Sequence, residues 1–441
     1  MEQVRREPPA SIRWIVWLFI SLAMFGNYYI YDSISPLADL LKTQLGFSDS
    51  NIGLLNAIYS FPNVIMVLIG GIIIDRIGTR KAVLIFTTLL MLGSLLTAVK
   101  GDIFVMASGR LLFGLGAESM IVAITTIIAR WFKGKELSFA FGLNLTLARL
   151  GSFMALNSPT WAKHFYDYWQ KPLWISFYAG VSALVFILIY YFIDLASSKK
   201  YELPPEGNQD KVVLKEIFGF GKAFWFISAL CVTFYSAMFP FQTFAIKFFQ
   251  EVHGTSREVG GNLSSILTLS AMIFTPLFGL LADRVKKKSY LMMFGSFLII
   301  PVYLIMAYKV DLASPLGLSG SININLDFFD IHTSIPFYLI IPMSMMGIAF
   351  SLIPAVMWPY VALVVDSSKL GTAYGLMTMI QNIGLFSFNL IIGYSNDLFG
   401  ASAANPQGYI PGMWIFSVLG FSGLLFSYLL RVEEKNLILR N

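Results

Sequence analysis

Long apolar runs separated by short polar segments dominate the chain. SIRWIVWLFISLAMF, AVLIFTTLLMLGSLLTAV, ISFYAGVSALVFILIYYFI and SYLMMFGSFLIIPVYLIMA are representative. A bilayer-spanning helix needs about 20 mostly apolar residues. Hydrocarbon leaves only helices and closed barrels as spanning structures, and the alternation of barrel strands is absent from these runs. The pattern therefore predicts an all-α membrane protein. Twelve transmembrane helices are predicted, near residues 12–41, 50–74, 81–99, 103–130, 137–160, 172–195, 217–249, 257–282, 288–308, 335–365, 370–395 and 411–432. Between the sixth and seventh lies SSKKYELPPEGNQDKVVLKE, polar, charged and carrying adjacent prolines. The predicted organisation is an N-terminal six-helix bundle over 1–196, a cytoplasmic linker over 197–216 and a C-terminal six-helix bundle over 217–441.

The two halves repeat each other. GGIIIDRIGTRK (70–81) answers FGLLADRVKKKS (278–289), so that Asp75 and Asp283 lie 208 residues apart, as do Gly46 and Gly254, and Gly53 and Gly261. Further on, AFGLNLTLARLGSF (140–153) answers AYGLMTMIQNIGLF (373–386) at an offset of 233, which Gly114 and Gly347 share. One insertion accounts for both offsets, and KVDLASPLGLSGSININLDFFDIHTS supplies it as a long loop between the ninth and tenth spans. Internal repeats of this kind are typical of secondary transporters, whose substrate sites lie near the bilayer midplane between the halves.

Composition sharpens this picture. The chain is 56% hydrophobic, 15% aromatic and only 13% charged, about half the charge of a soluble domain. The net charge of +6 raises the possibility of nucleic acid, but its distribution follows topology instead. Loops placed inside by a cytoplasmic N-terminus are rich in Lys and Arg, among them Arg76, Arg80, Lys81, Arg130, Lys133, Lys135, Arg284, Lys286, Lys287 and Lys288. The opposite loops hold Lys42, Lys100, Lys163, Lys171, Lys247, Arg257 and Lys309. This asymmetry predicts that both termini are cytoplasmic. The first apolar run is too long for a cleavable signal peptide. The one cysteine, Cys231, leaves no disulfide framework, and His164, His253 and His332 match no metal spacing. No phosphate-binding GxxxxGK[ST] run and no nucleophile elbow is present, so no cofactor, no metal and no enzymatic activity is expected.

Gly71, Asp75, Arg76, Gly78 and Arg80 form a GxxxDRxGxR loop, and Gly279, Asp283 and Arg284 repeat part of it. Together with Arg110, Gly114 and Gly116 in the fourth span, these residues resemble the signature patterns of the major facilitator superfamily (MFS fold), over essentially the whole chain. The glycine permits close helix approach. The aspartate at a helix end can accept from the positive N-terminus of a neighbour, and the arginines can bridge to other helices. Such contacts, from Gly71, Asp75, Arg76, Arg80, Asp283, Arg284 and Arg110, are expected to gate the cytoplasmic side; the alternative is that the loop charges only fix topology. WFKGKELSFAFGLNLTLARLGS, GLGAES, NYYIYD, YSFPN, FYSAMFPF and ALVVDSSKLGTAYGLMTMIQNIGL resemble, more narrowly, the branch of that superfamily containing lysosomal dipeptide carriers. The resemblance implies peptide binding and facilitated uniport. The long loop after the ninth span departs from that branch, and no dileucine sorting signal is seen at the N-terminus, so the expected location is a bacterial inner (plasma) membrane.

One arginine, Arg149, interrupts an apolar run in LTLARLGSFM. A charge at a helix centre costs about 2.5–3.5 kcal/mol on insertion scales, so a partner is expected. Glu118 lies 12 residues before Arg130 and Arg149 lies 12 after Leu137, which puts both roughly 18 Å from the cytoplasmic end of an antiparallel hairpin turning at Lys133 and Gly134. The sequence thus predicts a Glu118–Arg149 pair at mid-membrane. The repeat maps Glu118 to Ser351 and Arg149 to Asn382, neutral polar groups facing a charged half. That arrangement suits a small zwitterionic peptide, its carboxylate on the bidentate Arg149 fork and its amine on Glu118 or Asp32. A purely structural ion pair is the alternative. Tyr59, Tyr235, Trp358, Gln381 and Asn382 complete the predicted substrate-binding set. Pro62, Pro240, Pro276, Pro354 and Pro359 are expected to kink their helices.

These readings converge on a secondary transporter of small peptides, working in the lipid bilayer as a monomer, with no nucleic-acid partner. A carrier of another small polar anion (a sugar acid, an organic phosphate or an amino acid) and a non-transporting receptor or scaffold are the competing classes. The ExxERFxYY pattern of proton-coupled peptide carriers is absent from the first helix, which favours uptake without a proton gradient.

Overall fold

The computed structural model describes residues 7–132, 136–201, 203, 219–285, 287–326, 331–366 and 369–440. The apolar runs form helices. Among the described residues, eleven segments are long and apolar enough to cross a membrane, and the stretch from Asp49 to Ile77, bent by 57°, makes a twelfth. In chain order the helices are α1 (Ala10–Asp32), α2 (Ala38–Leu45), α3 (Asp49–Ala57), α4 (Ser60–Ile77), α5 (Thr79–Val99), α6 (Ile103–Trp131), α7 (Leu137–Leu156), the single turn α8 (Ser158–Trp161), α9 (Gln170–Lys200), α10 (Lys222–His253), α11 (Arg257–Arg284), α12 (Ser289–Ala307), α13 (Phe337–Val364), α14 (Leu370–Leu398) and α15 (Ile410–Arg440). The first nine belong to one half and the last six to the other.

Each half has its own apolar core. Val16, Ile20, Phe86, Phe113, Ile124, Ile127 and Tyr190 centre the first; Phe241, Phe248, Tyr303, Met343, Met357 and Phe416 centre the second. Most of the predicted linker, 204–218, lies outside the described residues, as do Lys133, Gly134 and Lys286. The first part of that linker, Ser197 to Lys200, continues α9 instead. The long insert is not a plain loop. Ser321–Leu326 (β1) and Ile331–Pro336 (β2) pair antiparallel, from Ser321 opposite Pro336 to Leu326 opposite Ile331.

The internal repeat has a structural basis. Gly46 and Gly254 end α2 and α10 in the left-handed conformation, at φ 69° and 65°, which glycine alone adopts without a Cβ penalty. Two residues on, Ser48 and Ser256 accept from the backbone N–H groups of Asn51 and Val259 and cap α3 and α11. Gly53 and Gly261 then occupy equivalent seats across the interface between the halves. A Cβ on Gly53 would come within 2.4 Å of the Asn389 carbonyl oxygen, and one on Gly261 within 2.4 Å of that of Leu156. The two turns and the two close approaches obey one pseudo-twofold relation.

Pro240, Pro276, Pro354 and Pro359 lie inside helices, with Pro301 and Pro342 also so placed. Pro62 instead occupies the first turn of α4, where its missing N–H has no intrahelical partner to lose.

Candidate functional site

The two halves enclose a cavity of about 240 Å³. Asn27, Tyr28 and Tyr31 of α1, Tyr59 at the N-cap of α4, Phe113, Ala117, Glu118 and Ile121 of α6, and Arg149 of α7 line it from one half. Tyr235 and Phe239 of α10, Trp358 of α13, and Thr378, Gln381 and Leu385 of α14 line it from the other. Helical spacing produces the lining: Ala117 and Ile121 stand four apart, as do Tyr235 and Phe239 and also Gln381 and Leu385, so each pair shares one helix face.

Glu118 and Arg149 both reach this cavity, yet no ion pair within 4.0 Å joins them. This corrects the predicted hairpin contact. Although consecutive in the chain, α6 and α7 barely touch: α7 packs along α1, and α6 packs along α5 and α4. Equal depth therefore brings the charges into one cavity without bringing them into contact. Arg149 is held instead by aromatic faces. Its guanidinium carbon lies 5.7 Å from the ring centre of Tyr28 and 5.2 Å from that of Phe350, geometry that stabilises a cation with little loss of its hydrogen-bonding fork. Phe350 belongs to the opposite half, so this sandwich spans the interface. Both charges are only partly buried. Among the described residues the Glu118 carboxylate has no hydrogen-bond or ion-pair partner.

The aromatic wall is ordered by its own contacts. Trp358 Nε1 donates to the Tyr235 hydroxyl at 3.0 Å, and the Tyr374 hydroxyl donates to the Trp358 carbonyl at 3.2 Å. Tyr235 stacks on Phe239, and Tyr31 meets Tyr59 edge-on at 4.8 Å. The Cys231 thiol donates to Gln381 Oε1, 3.7 Å away.

Of the predicted binding residues, Glu118, Arg149, Tyr59, Tyr235, Trp358 and Gln381 meet at this cavity. Asp32 and Asn382 do not line it. Asp32 faces a small adjoining recess with Tyr31, Ser35, Asn56, Phe239, Gln242 and Thr243. Asn382 is 1% exposed and donates to the Thr378 carbonyl at 3.0 Å; adjacent residues of a helix point about 100° apart, so Gln381 and Asn382 cannot both face the cavity. Sequence reasoning missed Asn27, Tyr28, Tyr31, Phe239, Thr378 and the cross-interface Phe350. NYYIYD carried the signal for the first three, with Asn27 and Tyr28 one turn before Tyr31.

The predicted gating residues fall into two groups. Asp75, Arg76, Asp283 and Arg284 are exposed at the end that carries the termini, and Gly71 is partly exposed. A Cβ on Gly279 would meet nothing within 4 Å. Arg80 works within one half: its Nε and Nη2 donate to Asp194 Oδ2 at 2.6 Å and Ser198 Oγ at 3.0 Å, while Trp131 Nε1 donates to the other Asp194 oxygen at 3.1 Å. Arg110 is 1% exposed and also serves one half. It donates to the carbonyls of Leu55, Ile30 and Tyr31 and to Asn56 Oδ1, at 3.1 to 3.2 Å, tying α6 to α1 and α3. Ion pairs that join the two halves cluster at the opposite, far end. There Lys247, predicted in an outside segment, is fully buried within α10 against Asp49.

Comparison with known proteins agrees with this architecture. The family model described as Major Facilitator Superfamily matches residues 20–331 and 241–439. The lysosomal dipeptide transporter MFSD1 of Bos taurus is 30% identical over 404 residues, covering 88% of this chain and 80% of that protein. The MFSD1 of Homo sapiens is 30% identical over 397 residues, covering 86% and 79%. Among solved structures, a bacterial homolog of the human lysosomal transporter Spinster, in an inward-facing and unoccupied conformation, superposes with a TM-score of 0.73 at 15% identity, covering 96% of this chain and 98% of that one. The lysosomal names of the relatives remove the support for a bacterial inner membrane, while the multi-pass membrane assignment stands. The match along both halves, the repeated signature loops and the central cavity lead to one conclusion: the chain belongs to the major facilitator superfamily, a family of transporters and not of enzymes.

Proposed function

We propose that this chain carries small peptides, dipeptides foremost, across a membrane by facilitated uniport. The observation that carries the reading is that Glu118 and Arg149 face one 240 Å³ cavity without neutralising each other. A free carboxylate and a free guanidinium on one wall match the two ends of a zwitterion. A peptide carboxylate takes the Arg149 fork, and its ammonium takes Glu118. The aromatic residues Tyr59, Tyr235, Phe239 and Trp358 then meet the side chains and the peptide plane through apolar area and weak polar contacts. The dipeptide specificity in the names of the 30% identical relatives supports the same substrate class.

In this reading the Lys and Arg distribution places both termini in the cytoplasm. The two halves rock about the cavity and expose it alternately to the two sides. Asp75, Arg76, Asp283 and Arg284, exposed here, close the cytoplasmic side in the other half of the cycle. Asp32, in its recess beside the cavity, assists the ammonium end. Uptake into liposomes tests the proposal. Purified protein should accumulate labelled dipeptide to equilibrium with no imposed proton gradient, and unlabelled dipeptide on the far side should accelerate the exchange. Transport of a sugar acid or organic phosphate but not of dipeptide would overturn the substrate class, and strict dependence on a proton gradient would overturn uniport.

A further inference from the structure

Of the ion pairs that join the halves at the far end, two are related by the internal repeat. Asp39 and Lys247 are 208 residues apart, and so are Asp49 and Arg257. Asp39 of the first half pairs with Arg257 of the second. Asp49 of the first half pairs with Lys247 of the second, both oxygens 2.7 Å from Nζ. At both equivalent positions one half supplies the acid and the other the base, so the symmetry is kept in place and inverted in charge.

The two pairs differ in what happens to their charges on separation. Asp39 and Arg257 are 20% and 17% exposed at their side chains, so water can take over. Lys247 and Asp49 are 0% and 1% exposed, and an unpaired charge in that setting is costly. Each, however, has a second partner within its own half. Lys247 Nζ lies 3.4 Å from Glu251, one turn along α10, and Asp49 lies 3.6 Å from Lys42. Glu251 accepts from the Tyr409 hydroxyl at 2.5 Å and is held ready. Asp397 of the second half accepts from the backbone N–H groups of Asp49 and Ser50 at 2.8 and 2.7 Å, docking the N-terminus of α3 where its dipole favours an anion.

We propose that Lys247 is the moving contact of a charge-exchange latch. It holds Asp49 across the interface while the far end is shut and passes to Glu251 of its own helix when that end opens, as Asp49 passes to Lys42. The Asp39–Arg257 pair is the symmetric, solvent-backed clasp. Opening then strands no bare charge, which keeps the two states close in free energy and the cycle reversible.

The two acids on Lys247 must act in opposite directions. Spin labels at Phe104→Cys and Ala404→Cys, both exposed at the far end on opposite halves, report its opening in the full chain with Cys231→Ala. In an Asp39→Arg background the long-distance population should rise, and adding Arg257→Asp should return it to its starting value. In that background Asp49→Asn should increase the long-to-short ratio by about tenfold, and Glu251→Gln should reduce it by a similar factor, the change produced by about 1.4 kcal/mol. A purely structural network would make both substitutions move the ratio the same way. A common direction, no movement, or failure of the charge swap to restore closure would overturn the latch. The readout needs no peptide, so its failure is separable from failure of the proposed substrate.

Discussion

Arg149→Ala is expected to weaken dipeptide binding by about 30-fold or more, while the protein remains folded. Truncating one partner of a hydrogen-bonded charge contact costs about 2–5 kcal/mol, and about 2 kcal/mol corresponds to that factor. The fold survives because, among the described residues, no ion pair within 4.0 Å depends on Arg149; its contacts are the faces of Tyr28 and Phe350. Arg149→Lys keeps the charge and loses the planar fork, so its affinity should fall between the two. Calorimetric titration of purified variants, with thermal unfolding as the control on folding, measures this. Undiminished affinity in a folded Arg149→Ala variant would remove the residue from the site.

The second large effect is structural. Arg110→Met is expected to destabilise the first half by about 3–5 kcal/mol, the usual cost of removing one partner from a buried charged contact. Arg110 satisfies the carbonyls of Ile30, Tyr31 and Leu55 and the amide oxygen of Asn56 at once. It also lies over the rings of Phe113 and Tyr59, at 5.0 and 5.6 Å. Methionine fills part of the volume but donates nothing to these acceptors, and a buried acceptor left unpaired costs about 1–3 kcal/mol; the Ile30 carbonyl keeps the Ser33 hydroxyl at 2.8 Å. Arg110→Lys should recover a fraction, since one ammonium cannot reach all the acceptors on α1 and α3 at once. Thermal unfolding in detergent and the yield of monodisperse protein report the loss. A fully stable Arg110→Met variant would contradict the staple role.

Much of this was legible in the sequence because bilayer physics leaves few options. Apolar length and the Lys and Arg asymmetry set the helix count and the topology expectation, and the paired offsets exposed the repeat that Gly46, Gly254, Gly53 and Gly261 turn out to serve. The charges Glu118 and Arg149 stood out because hydrocarbon penalises them. What failed was helix adjacency. Depth along an axis follows from residue counting, but which helices touch depends on packing order, and α1 rather than α6 lies along α7. Aromatic lining was only half readable, since a tyrosine in a membrane helix has the same signature at a cavity wall and in a core. Phe350 carried no signal, because its partner lies 201 positions away in the chain. The hairpin was detectable and overlooked: SININL alternates with a period of two, the strand signature. The latch was hidden because Lys247 and Asp49 read as ordinary loop charges until the two halves were placed against each other.

The central claim is that opposite charges in one cavity grip the two ends of a zwitterion. Equilibrium binding of one dipeptide to the wild-type protein, beside its N-acetyl form and its C-terminal amide, tests it most directly. Each singly blocked form should bind at least about tenfold more weakly, the loss of about 1.4 kcal/mol from one charged contact, with the N-acetyl form insensitive to Glu118→Gln and the amide insensitive to Arg149→Ala. Equal binding of the free and both blocked peptides would contradict it.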